Sequence, residues 1–167
     1  MQKWKEENGR TALLIDGARR VGKSYIAQEF AKKEYKSYIL IDFNRAPAEI
    51  TDLFVHYLND LTMFFLYLSN FYGVKLYERE SLIIFDEVQL FPKARAAIKY
   101  LVEDGRYDYV ETGSLMTIKK NVADIVIPSE ERHMKMYPLD FEEFLWALDN
   151  DTLMDFIRLC FEEKKPM

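Results

Sequence analysis

A single cysteine, two histidines and no long unbroken apolar run set the first limits on this sequence. Cys160 cannot form an internal disulfide or a cysteine-based zinc site. It falls on an apolar helical stripe, which predicts a small core residue. His56 and His133 are too few and too far apart in sequence for a metal cluster. The most apolar window, "LTMFFLYLSNFYGV", has His56, Asn59 and Asp60 upstream and contains Asn70. A spanning helix needs about 20 largely apolar residues, so this window falls short. The start, "MQKWKEENGR", is charged and has no apolar stretch of the secretory kind, so a cytoplasmic location is expected. An excess of basic charge is also missing. The net charge of -5 argues against a generally basic nucleic-acid binder.

The 167 residues favour one domain with a self-sufficient core. Four short apolar runs read as strands: "TALLID" (11–16), "YILID" (38–42), "SLIIFDE" (81–87) and "YDYVET" (107–112). The first three are nearly continuous, as expected of parallel strands covered on both faces. A fifth run, "HMKMYP" (133–138), ends at Pro138. Helical spacing lies between these runs. Ile26, Ala27, Phe30 and Ala31 share one face. Ile50, Leu53, Phe54, Tyr57, Leu58, Leu61, Phe65 and Leu68 keep the period for several turns, and Ile98, Leu101 and Val102 repeat it before Gly105. Alternating strands and helices predict an α/β fold with a parallel sheet. Asp140 and Glu143 then read as a capping pair opening a helical tail.

The chemistry is concentrated at three strand ends. Gly17-x-x-x-x-Gly22-Lys23-Ser24 fits the P-loop pattern, after a strand and before a helix. Its glycines let backbone N–H groups turn inward around phosphate oxygens, and the helix N-terminus adds its dipole. The expected phosphate-binding stretch is therefore Gly17 to Tyr25, with Ala18, Arg19, Arg20 and Val21 between the glycines. Lys23 would reach the β- and γ-phosphates, and Ser24 would place its hydroxyl on Mg²⁺. "LIIFDE" ends in Asp86, suited to hold Mg²⁺ through its water shell, and Glu87, suited to activate water. Thr112-Gly113-Ser114 places two hydroxyls after the fourth strand, and either could sense the γ-phosphate. Exposed arginines and lysines such as Arg19, Arg20, Lys119 and Lys120 are more often solvated than functional.

"GARRVGKS", "LIIFDEVQLFP", "ETGSLMTIKKN" and "MYPLDFEEFLWAL" together resemble the prokaryotic ATP-binding proteins of the AAA+ superfamily. In those proteins a P-loop ATPase core is followed by an uncharacterised C-terminal domain. The resemblance implies a three-layer sandwich, a five-stranded parallel sheet of order 5-1-4-3-2 and added C-terminal helices. It implies ATP and Mg²⁺ as ligands, Gly17 to Ser24 as Walker A, Asp86 and Glu87 as Walker B, and 112–114 as the sensor-1 region. It also implies assembly with other copies. "PSEERHMKMYPLDF" lacks the Gly-Arg pair that many relatives carry before "YPL", and Arg132 stands at a different offset. Relatives are usually much longer, so residues 1–138 are expected to be the ATPase core. Residues 139–167 are expected to be a helical extension leading towards a domain absent here. The leading expectation is a Mg²⁺-dependent ATPase. The alternatives are a nucleotide-dependent binding module with negligible turnover and, more remotely, a P-loop small-molecule kinase. No "NKxD" element favours guanine. The client is not indicated.

Overall fold

The computed structural model describes residues 1–114 and 131–164. The apolar runs form β1 (Ala12–Gly17), β2 (Ser37–Asp42), β3 (Ser81–Asp86) and β4 (Asp108–Gly113), with β5 (Glu131–Met136) at one edge. All neighbours pair in parallel, in the order β2-β3-β4-β1-β5. This is the expected 5-1-4-3-2 order read from the other edge.

The period-2 pleat explains why the runs are continuous rather than alternating. Ala12, Leu14, Ile83, Phe85 and Tyr109 point to one face; Leu13, Ile15, Leu82, Ile84 and Val110 point to the other. The first face is covered by α3 (Ala48–His56), α4 (Leu61–Tyr72) and α5 (Pro92–Asp104), through Ile50, Phe54, Phe64 and Ile98. The second is covered by α1 (Gln2–Lys5) and α2 (Lys23–Glu34), through Trp4, Ala27 and Ala31. Three layers result. Each fully buried Phe or Leu contributes about 1.5–3 kcal/mol. The aromatic share is concentrated on the α3–α5 face, where Phe54 lies 5.1 Å from Phe64 and 5.6 Å from Phe85, ring centre to ring centre.

Two expectations change. The helical period read without a break over 50–68 is cut into α3 and α4. Asp60 accepts the Met63 N–H at 3.1 Å and starts α4, while Tyr57 leaves helical geometry. The fifth strand lies at Glu131–Met136 rather than 133–138. Its pairing with β1 begins at Ala12↔Glu131 and ends at Gly17↔Met136, before Pro138.

The chain divides into two compact units, Met1–Met136 and Tyr137–Met167. In the second, α6 (Phe141–Ala147) opens with a capping box in which Asp140 and Glu143 exchange side-chain-to-backbone hydrogen bonds of 2.8 and 2.9 Å. α7 (Asp151–Glu162) is tied to α6 by Arg158 and Glu142, 2.6 Å apart. Leu145 and Cys160 are buried, while Phe141, Phe144, Trp146, Phe156 and Phe161 are exposed.

Candidate functional site

The C-terminal ends of β1, β2 and β3 and the segment after β4 converge on one edge of the sheet, where open α/β sheets bind ligands. β1 ends at Gly17, whose backbone lies against β5. A Cβ there would overlap the Met136 carbonyl oxygen. The loop continues through exposed Ala18, Arg19 and Arg20, and Arg20 adopts a left-handed φ of 63°. Val21 is half-buried. Gly22 caps α2 at φ 95°, a conformation that favours glycine, and its carbonyl accepts the Ile26 N–H at 3.0 Å.

Lys23 is the first residue of α2 and only 5% exposed. Its Nζ donates to the Ala18 carbonyl at 2.7 Å and the Gly17 carbonyl at 3.2 Å. The loop thus folds around its own ammonium group. Ser24 Oγ donates to Asp86 Oδ1 at 2.5 Å. Thr112 Oγ1 donates to the same Oδ1 and accepts the Glu87 backbone N–H at 3.2 Å. One hydroxyl therefore joins the acidic strand end to the residue after it. Tyr25 points away, 69% exposed.

Asp86 and Glu87 line a cavity of about 400 Å³ with Ser114 and Arg19. The two candidate sensor hydroxyls are thus placed differently. Thr112 is buried against Asp86, and Ser114 lies on the cavity wall. The rest of the wall was not anticipated from sequence: Asp42, Asn44 and Arg45 from the end of β2, and Gln89 and Leu90 just after Glu87. Asp42 pairs in register with Asp86, and its Oδ1 accepts the Asn44 N–H at 2.9 Å, fixing the turn. Phe43 stacks on Phe91 at 5.3 Å behind this wall.

Arg132 is not part of the cavity. On β5 it registers with Leu13, near the far end of the strand, and pairs with Glu7. Lys119 and Lys120 lie outside the described residues. Among the described residues, no three His, Cys, Asp or Glu side chains gather as a metal cluster. A Mg²⁺ ion needs fewer protein ligands than that, because it keeps waters and substrate oxygens. The adjacent Ser24 and Asp86 oxygens fit such a donor set.

The family model described as "AAA domain" matches residues 9–145. The chain belongs to this AAA domain family. Membership suggests nucleotide binding and ATP hydrolysis, and it places the AAA domain's loop, acidic strand end and polar turn inside one matched segment. No curated protein matches the chain. Similar solved structures include a DNA replication initiation factor, 14% identical over 93% of this chain and 49% of that one, with a TM-score of 0.47. Another is PCH-2 of C. elegans, 15% identical over 90% of this chain and 40% of that one, with a TM-score of 0.41. The AAA domain chain therefore spans about half the length, or less, of each. Among its described residues no helix is long and apolar enough to cross a membrane.

Proposed function

We propose that this AAA domain binds ATP with Mg²⁺ and hydrolyses it to ADP and phosphate, driving a conformational change. The observation that carries this reading is the convergence of the Ser24 and Thr112 hydroxyls on Asp86 Oδ1, beside a cavity lined by Glu87. Gly17 to Tyr25 would hold the triphosphate, with Lys23 exchanging two loop carbonyls for phosphate oxygens. Ser24 and Asp86 would hold Mg²⁺, which when bound neutralises phosphate charge. Glu87 would accept the proton of the attacking water, and Thr112 keeps the Glu87 backbone against Asp86. Ser114, on the cavity wall, would meet the γ-phosphate or the water. Assembly with further copies or a further domain, in the cytoplasm, belongs to the same reading.

A second reading has one observation in its favour. Arg132 is occupied with Glu7, away from the cavity, so this arginine is not placed to stabilise the transition state. A nucleotide-dependent binding module with negligible turnover would follow. An arginine supplied by another copy contributes about 10³–10⁵ in rate, so turnover that rises steeply with protein concentration favours the ATPase.

The test is ATP binding and phosphate release by the wild type, Lys23→Ala and Glu87→Gln. Lys23→Ala should lose binding. Glu87→Gln should keep binding and lose turnover by about 10²–10⁴-fold, the range for a general base. Unchanged binding in Lys23→Ala would sink the reading.

A further inference from the structure

Gln89 belongs to none of the three motifs, yet it is 8% exposed and lines the cavity beside Glu87. The backbone puts it there. Glu87 adopts φ 55° and ψ 45°, a left-handed conformation uncommon for a residue with a side chain. Residues held in such conformations cluster at functional sites. A single 3-10 turn, Val88–Leu90, follows directly. It is closed by the Leu90 N–H on the Glu87 carbonyl at 2.9 Å and the Phe91 N–H on the Val88 carbonyl at 3.1 Å. Val88 is fully buried, and Phe91 is stacked on Phe43, so the turn is anchored in the aromatic core. The result is that Gln89 Nε2 donates a hydrogen bond to Glu87 Oε2.

A glutamate carries three side-chain torsions, and a general base works only within hydrogen-bond reach of the proton it takes. Both ends of Glu87 are held here. Thr112 takes its backbone N–H and Gln89 takes one carboxylate oxygen. We infer that Gln89 is a positioning residue for Glu87. Its amide pins one oxygen against the 3-10 turn and leaves the other for water in the cavity. The inference rests on the ATPase reading above and adds to it a residue that acts through Glu87. It also gives the left-handed backbone at Glu87 a purpose, because an extended residue there would send residue 89 elsewhere.

The experiment uses Gln89→Met, which keeps side-chain length and removes the donor, and Gln89→Glu, which keeps shape and replaces the amide with a repelling carboxylate. In each, kcat should fall about 10- to 100-fold, the scale of a misplaced catalytic group. KM for ATP should stay near wild type in both, and the melting temperature should stay near wild type in Gln89→Met. In a Glu87→Gln background, Gln89→Met should cause no further loss, because the two act as one unit. A kcat within twofold of wild type in both variants overturns the role. So does a loss that adds fully to that of Glu87→Gln, or a KM that rises in step with the fall in kcat. Turnover abolished by Glu87→Gln but kept by the Gln89 variants overturns this inference alone. A wild type without turnover, or turnover that survives Glu87→Gln, overturns the ATPase reading and this role with it.

Discussion

Asp86 and Glu111 sit on adjacent strands, both nearly closed off from water, and their surroundings differ. Asp86 receives hydrogen bonds from the Ser24 and Thr112 hydroxyls and touches the cavity. Glu111, beside Phe85 in the β3–β4 pairing, has no hydrogen-bond partner among the described residues. Its nearest cation, Arg95, stands 4.0 Å away. Arg95 gives its paired hydrogen bonds, 2.9 and 2.8 Å, to Glu131 instead. Burial first, and then the Glu131 charge, raise the Glu111 proton affinity well above the ordinary carboxylate range. One acid is surrounded by rotatable hydroxyls that can give way to a cation. The other is closed in, with burial and the neighbouring Glu131 charge both working against its ionised form. Acidity near a phosphate loop is therefore a poor guide by itself. Access to the cavity and the kind of donor separate a candidate ligand from a structural acid.

Three substitutions would break or sharpen this contrast. The largest effect is expected at Arg95. Arg95→Ala would leave the closed-off Glu131 carboxylate beside Glu111 without its guanidinium, with only His133 Nε2 nearby at 3.5 Å, at a cost of about 3–5 kcal/mol. Denaturant unfolding measures it, and a loss below about 1 kcal/mol would mean that the pair is not a buried one. Next comes Thr112→Val, nearly the same shape without the hydroxyl. It strips Asp86 of one donor and the Glu87 N–H of its acceptor, a loss of about 1–3 kcal/mol in stability. It should also cut turnover more than Ser114→Ala does; the reverse ranking would move the sensor role to Ser114.

The smallest effect is at Glu111. Because its folded proton affinity is raised, the stability linked to it is whole below the ordinary glutamate pKa of 4.5. That stability declines as pH rises above that value towards the folded pKa. Glu111→Gln cannot titrate. It should match wild type near pH 4 and be more stable by about 1 kcal/mol at pH 8. Parallel melting curves across that range would show that Glu111 holds no extra proton.

β1 and β3 were legible because a central strand buried on both faces is largely apolar, and β2 and β4 because each keeps a short apolar run. β5 was placed late because an edge strand tolerates Glu131 and Arg132, which look like loop in a linear reading. The α3–α4 break was invisible because apolar spacing runs across it, and only the Asp60 cap marks it. In the site, spacing brought out Lys23, Ser24, Asp86 and Glu87, with Thr112 and Ser114 as equal candidates, since each stands at a fixed offset from a glycine or a strand end. Asp42, Asn44 and Arg45 carry no such offset. They reach the cavity because β2 lies next to β3 with Asp42 opposite Asp86, and that register is a long-range fact. Gln89 depends on one left-handed residue two positions earlier, a backbone state that side-chain patterns do not announce.

The close approach of Gly17 to the Met136 carbonyl bears on how genetic data from this loop should be read. A Cβ at Gly17 collides with a neighbouring strand before any nucleotide arrives. A Gly17→Ala allele that fails in a cell would report a sheet that cannot close at β1 and β5, not a phosphate that cannot bind. Gly22 would be the cleaner probe of the phosphate cradle itself. Among the described residues only the Met136 side-chain tip comes within 4 Å of a Cβ there, so the constraint they show is the backbone turn.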